Sequence, residues 1–182
     1  MNYRQKFTYE RADYQHKTDS LRSLFGFRKK IPEEYELQTL LAISHYPDLY
    51  RARIKFKYVD RPAIPISARP SFVDFVHSRK NRQYKIVMRV GSPYVLNRNF
   101  DEQVGLIGHE LGHIQFYIHK SFLSLIGVGF KYATSDKYRM RFELDTDRRL
   151  IDYGLGWQLR EAPIYLDRSA VEDYMKQVGY MF

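Results

Sequence analysis

The run NRNFDEQVGLIGHELGHIQFYIHK, residues 97–120, carries a helical periodicity. Val104, Ile107, Leu111, Ile114 and Ile118 recur at three and four residues, the repeat of one buried helix face. Asn99 and Glu102 have the spacing of a capping box, so the helix is predicted from about Asn99 to about Lys120. Gly105, Gly108 and Gly112 line a second face. Each costs a helix about 1 kcal/mol against alanine. Close approach of another backbone, such as a sheet, is the expected compensation.

Within this helix His109, Glu110, Leu111, Gly112 and His113 spell HExxH. Residues four apart on a helix are turned by only about 40° from each other. Both imidazoles therefore leave one face and can reach one ion at about 2.0–2.1 Å. Glu110 lies too far round to ligate in the same way; it can take a proton from a metal-bound water and deliver it to a leaving amine. The ligand stripe also holds Glu102 and Leu106 and is distinct from the buried stripe, so the histidines need not belong to the core.

Catalytic zinc takes three protein ligands and keeps one position open, so a third donor must come from elsewhere. His119 stands six residues after His113, as does the last histidine of HExxHxxGxxH, but Phe116 occupies the glycine position. If the helix continues through Phe116, six residues turn His119 by about 240° from His113. Glu143, in RFELDTDRRLIDYG (residues 141–154), is the better candidate. It falls in a further helix predicted from caps at Thr134, Ser135 and Asp136 to Tyr153, with its stop at Gly154. Asp147 lies four residues on and shares a face with Glu143. One carboxylate on zinc and a second on the far nitrogen of a ligand imidazole would complete the site. The ordinary explanation of the pair is a solvated face amid Arg139, Arg141, Arg148 and Arg149. An oxyanion donor has too many candidates to choose between: Tyr132, Tyr138, Arg139, Arg141 and Tyr153.

In these residues, across roughly 94–154, the chain resembles the gluzincin branch of zinc metallopeptidases, whose pattern is HExxH followed on a later helix by ExxxD. The resemblance implies His109, His113 and Glu143 as Zn2+ ligands, Glu110 as catalytic base, and Asp147 as support for a ligand histidine. It also implies a small sheet before the active helix, with an edge strand that holds an extended peptide by main-chain hydrogen bonds. The expected fold is α+β and zincin-like: a small twisted mixed or antiparallel sheet on the HExxH helix, a mainly helical second half, and the cleft between them.

Elsewhere the signals are coarser. Residues 1 to about 30 are polar, basic and without clear period, and read as an arm or covering segment; residues 31–182 read as one domain. A helix is predicted from Pro32 to before Pro47, with Leu37, Leu40 and Leu41 on one side. In RARIKFKYVD, residues 51–60, Ile54, Phe56 and Tyr58 alternate with basic residues as in a half-buried strand. Strands are also predicted over Phe72 to His77 and Tyr84 to Val90, joined by a hairpin at SRKNRQ, with a short edge segment over Tyr94 to Leu96. SFLSLIGVGF, residues 121–130, is too short to span a bilayer and reads as core or cleft wall. A last short helix is predicted after Ser169, capped with Glu172.

With no cysteine, disulfides, thiolate metal sites and cysteine nucleophiles are excluded, and any metal sits on His, Asp or Glu. The opening stretch lacks a signal-peptide core and no span long enough for a membrane appears, so a soluble, cytoplasmic protein is expected. The formal charge of +9 supports a nucleic-acid partner only weakly, because no recognition motif accompanies the dispersed basic residues. Three functions compete: a zinc peptidase acting on peptide or protein strands; a zincin-like metal-binding module, regulatory or nucleic-acid-binding, without peptidase activity; and a latent peptidase whose arm or 121–130 segment covers the cleft. Glu110 argues against the second, since metal binding alone does not need it.

Overall fold

Local sequence chemistry sets the ends of the main helices. Asn99 Oδ1 accepts from the Glu102 N–H at 2.8 Å and starts the central helix, which runs Phe100–Ile118. Ser121 and Ser135 cap the two helices that follow in the same way, each accepting from the N–H three residues on. Gly154, at φ 92°, turns the chain away just past the second of these.

The computed structural model describes residues 4–60, 65–71, 81–89, 93–162 and 167–182. Its elements in chain order are α1 (Arg11–Tyr14), α2 (Thr18–Phe25), β1 (Lys29–Lys30), α3 (Glu36–Ser44), β2 (Arg53–Val59), β3 (Ile66–Pro70), β4 (Gln83–Arg89), α4 (Pro93–Leu96), α5 (Phe100–Ile118), α6 (Phe122–Thr134), α7 (Asp136–Asp152), α8 (Gly156–Glu161) and α9 (Arg168–Gln177). Among the described residues the architecture is α+β, mostly helical, with one four-stranded mixed sheet in the order β1-β2-β4-β3. β1 and β4 run parallel to β2, and β3 runs antiparallel to β4.

The sheet departs from expectation at its edge. The strand expected over Phe72 to His77 lies outside the described residues, as does the first half of the hairpin at SRKNRQ. The antiparallel neighbour of β4 is instead Ile66–Pro70, where Ile66 and Ala68 face the core. Prolines at 65 and 70 hide it in the sequence, although an edge strand tolerates proline because its outer N–H groups need no partner. Tyr94 to Leu96 form part of α4 and not an edge segment; Pro93 opens that helix, where the missing N–H costs nothing.

Helix α5 is the hub, packed against α3, β3, α7 and α8. At Gly105 the expected close approach of another backbone is present, supplied by a helix and not by a sheet. A Cβ on Gly105 would stand 2.3 Å from the Gln158 carbonyl oxygen of α8, and one on Gly108 would stand 2.7 Å from Leu150. Helix α8 itself was not foreseen, being too short to show a period. The last helix begins at Arg168, and its cap is Asp167, which accepts from the Ala170 N–H, and not Ser169. Glu172 there pairs with Arg160 and Arg168 instead of completing a capping box.

The first 30 residues contain α1 and α2 and hold to the body by specific bonds. Trp157 Nε1 donates to Gln5 O (3.0 Å), Gln158 Nε2 to Phe7 O (2.8 Å), and the Tyr9 N–H to Asp101 Oδ1 (2.6 Å). Asp101 is the second residue of α5, so this segment is fastened at the helix end remote from HExxH. Among the described residues no helix is long and apolar enough to cross a membrane.

Candidate metal centre

Helix α5 presents His109 and His113 one turn apart, with ring centroids 4.8 Å apart and planes nearly perpendicular. Across from them α7 presents Glu143, whose Oε2 lies 3.1 Å from His109 Nε2 and 3.2 Å from His113 Nε2. The three donor atoms lie within 4.8 Å of one another, and the three residues form a group able to hold a metal ion. Ligands bound to one ion at about 2.0–2.1 Å in a tetrahedron are about 3.3 Å apart, so both measured edges suit an N,N,O site.

The far side of each imidazole is held. His109 Nδ1 donates to Asp147 Oδ1 at 2.9 Å, and His113 Nδ1 lies 3.2 Å from Thr146 Oγ1. Thr146 gives its own proton to Phe142 O, so its oxygen is left to accept from the ring. Both Nε2 atoms are thereby turned inward, the orientation that outer hydrogen bonds impose on metal-binding histidines. Thr146 had escaped the sequence reading, although it lies three residues after Glu143 on the same helix face. Tyr132, one of several undecided oxyanion candidates, donates to Glu143 Oε1 at 2.7 Å and leaves Oε2 for the centre.

The charges respond to this packing. Burial pulls the His109 imidazole down, but the hydrogen bonds to Asp147 and Glu143 outweigh it and hold the group well above the ordinary histidine value. Burial raises Glu143, yet the two histidines bring its carboxyl far below the usual range. Glu110 is raised by burial against the pull of His113 and His109. The Ala68 N–H of β3 bonds its carboxylate, while Glu110 Oε2 is buried with no hydrogen-bond partner. That contact was not readable while Ile66–Pro70 went unrecognised as a strand.

These side chains floor a cleft of about 860 Å³. β3 forms one wall, and α6 with the start of α7 forms the other, through Leu125, Val128, Tyr132 and Met140. None of residues 4–30 lines it, so the described part of the N-terminal segment does not cover the centre. His119 stands outside: α5 continues through Phe116, and His119 Nε2 meets Asp48 Oδ2 at 3.3 Å on the surface. Of the other oxyanion candidates, Arg139 lines the cleft, bonded to Asp136, while Tyr153 sits elsewhere with Asp48 and Gln115.

Compared with known proteins, the chain matches no family model, no curated protein and no solved structure.

Proposed function

We propose that this chain is a zinc-dependent peptidase of zincin-like architecture, with His109, His113 and Glu143 as ligands and Glu110 as the base. The observation that carries the reading is the convergence of His109 Nε2, His113 Nε2 and Glu143 Oε2, backed by Asp147 and Thr146, with Glu110 between the two histidines at the cleft floor. Zinc bound there supplies Lewis acidity, polarising a carbonyl and acidifying a water. An N,N,O donor set without sulfur is consistent with zinc.

The protein's own groups account for the proton transfers. A peptide laid along the outer edge of β3 is held by main-chain hydrogen bonds, as peptides are on other sheet edges. Glu110 accepts a proton from the water as its oxygen attacks the carbonyl carbon. The C–N bond then breaks, and Glu110 returns the proton to the departing amine, leaving a carboxylic acid and an amine. Burial that raises Glu110 brings its proton affinity nearer to that required of a group which both takes and gives a proton at neutral pH.

The test is elemental analysis of wild type, Glu110→Gln and Glu143→Ala purified without chelator, with casein cleavage on the same samples. About one zinc in wild type and Glu110→Gln, its loss in Glu143→Ala, and cleavage by wild type alone are expected. Zinc retained by Glu143→Ala overturns the ligand assignment, and cleavage by Glu110→Gln overturns the base.

A further inference from the structure

Helix α6 has one charged residue, Lys131, and is apolar on both of its faces. Leu125 is buried, and Val128 and Tyr132 are half-buried, where they form the cleft wall. Leu123, Ile126 and Phe130 point the other way and are 77%, 48% and 69% exposed. At 100° per residue these three fall within an arc of about 60°. Gly127 and Gly129 open onto empty space beside them. Scattered exposed apolar residues are ordinary, but a row of large ones along one helix marks a surface that something covers.

The charges around the row indicate what covers it. Lys131 lies on α6, and Lys120 and Lys137 stand just beyond its two ends in the chain; Asp136 is the one acidic residue over 120–137, and its carboxylate is bonded to Arg139. A second copy of a chain with net charge +9 would bring this basic surface against itself. Nucleic acid would satisfy the cations but offers little to Leu123, Ile126 and Phe130. An anionic bilayer surface satisfies both, since it takes an apolar helix face at the acyl boundary and basic side chains at the headgroups. Thirteen residues make a helix about 20 Å long, too short to cross a bilayer of about 30 Å but suited to lie in its plane. We propose that the outward face of α6 docks the protein on an anionic lipid surface through Leu123, Ile126 and Phe130. The inference does not depend on the metal centre, although the same helix supplies a wall of the cleft.

The experiment is co-sedimentation of the full chain with vesicles of phosphatidylcholine and phosphatidylglycerol at three to one, and with phosphatidylcholine alone. Wild type is expected to bind the anionic vesicles at least tenfold more tightly than the neutral ones. The triple variant Leu123→Ser, Ile126→Ser, Phe130→Ser is expected to lose at least tenfold on the anionic vesicles with unchanged circular dichroism. Because the chain has no cysteine, Leu123→Cys carrying an environment-sensitive fluorophore reads insertion without removing the row. Its emission should shift to the blue on anionic vesicles, while that of Asp19→Cys on α2 should not. Absence of wild-type binding, undiminished binding by the triple variant, or an unshifted probe at position 123 overturns the proposal. So does a wild-type dimer that the triple variant dissolves while neither protein binds vesicles.

Discussion

Asp147 offers a direct measure of how strongly the outer hydrogen bonds tune the centre. Its Oδ1 accepts from His109 Nδ1 at 2.9 Å, and the residue is 1% exposed. Asp147→Asn keeps an acceptor in place but removes the charge. Charge-assisted hydrogen bonds contribute about 1.5–3 kcal/mol and neutral ones about 0.5–1.5 kcal/mol, so the change costs about 1.4 kcal/mol, or about tenfold in zinc affinity. Asp147→Ala removes the acceptor and leaves a buried N–H unpaired, at about 2–3 kcal/mol and towards 100-fold. Loss of the carboxylate also lowers the proton affinity of His109, which favours metal binding near neutrality. Zinc affinity is therefore read by competition with a fluorescent chelator at about pH 7 and about pH 8. The graded series wild type, Asn, Ala is expected at the higher pH. Equal affinities across all three would refute the support role, and an Asn variant as weak as Ala would refute its assignment to charge.

Further outcomes follow from other contacts. Metal-free His109 is held protonated, because its value is raised above the ordinary one, whereas Glu143 is already ionised. Zinc loading at neutral pH should therefore release about one proton, read as the buffer dependence of the calorimetric heat; no release refutes this state of the pocket. The sign for stability follows: since the folded value exceeds the unfolded one, His109 contributes fully below about pH 6.5, and the contribution is lost as pH rises through the folded value. Metal-free protein should thus lose thermal stability on moving from mild acid to alkali, while a zinc-loaded sample should not show this loss. Gly105→Ala should destabilise by about 2 kcal/mol or more, because its Cβ would meet the Gln158 backbone. Gly127→Ala, with nothing within 4 Å, should stabilise by about 0.5–1 kcal/mol, and urea titration of both tests the pair. Tyr132→Phe removes the proton given to Glu143 Oε1 and should weaken zinc about three- to tenfold without changing the melting temperature of the metal-free chain by more than a few degrees.

The sequence by itself determined what a single helix can determine. The register of Val104, Ile107 and Leu111, the cap at Asn99 and the one-turn spacing of His109 and His113 are local, because hydrogen bonds four residues apart fix which side chains share a face. The same period placed Glu143 and Asp147 together on α7. It also argued that Phe116, by not ending α5, would carry His119 away. What only the tertiary structure decided are the contacts across long stretches of chain. These are β3 along the cleft, Ala68 on Glu110, Tyr132 on Glu143, Thr146 behind His113, and the close pass of Gln158 over Gly105. Each depends on how elements dock, and docking is set by burial summed over the core, to which a short proline-bounded strand contributes no periodic signal of its own. The two apolar faces of α6 mark the same boundary, since composition showed that the helix was greasy and only packing showed which side was left in water.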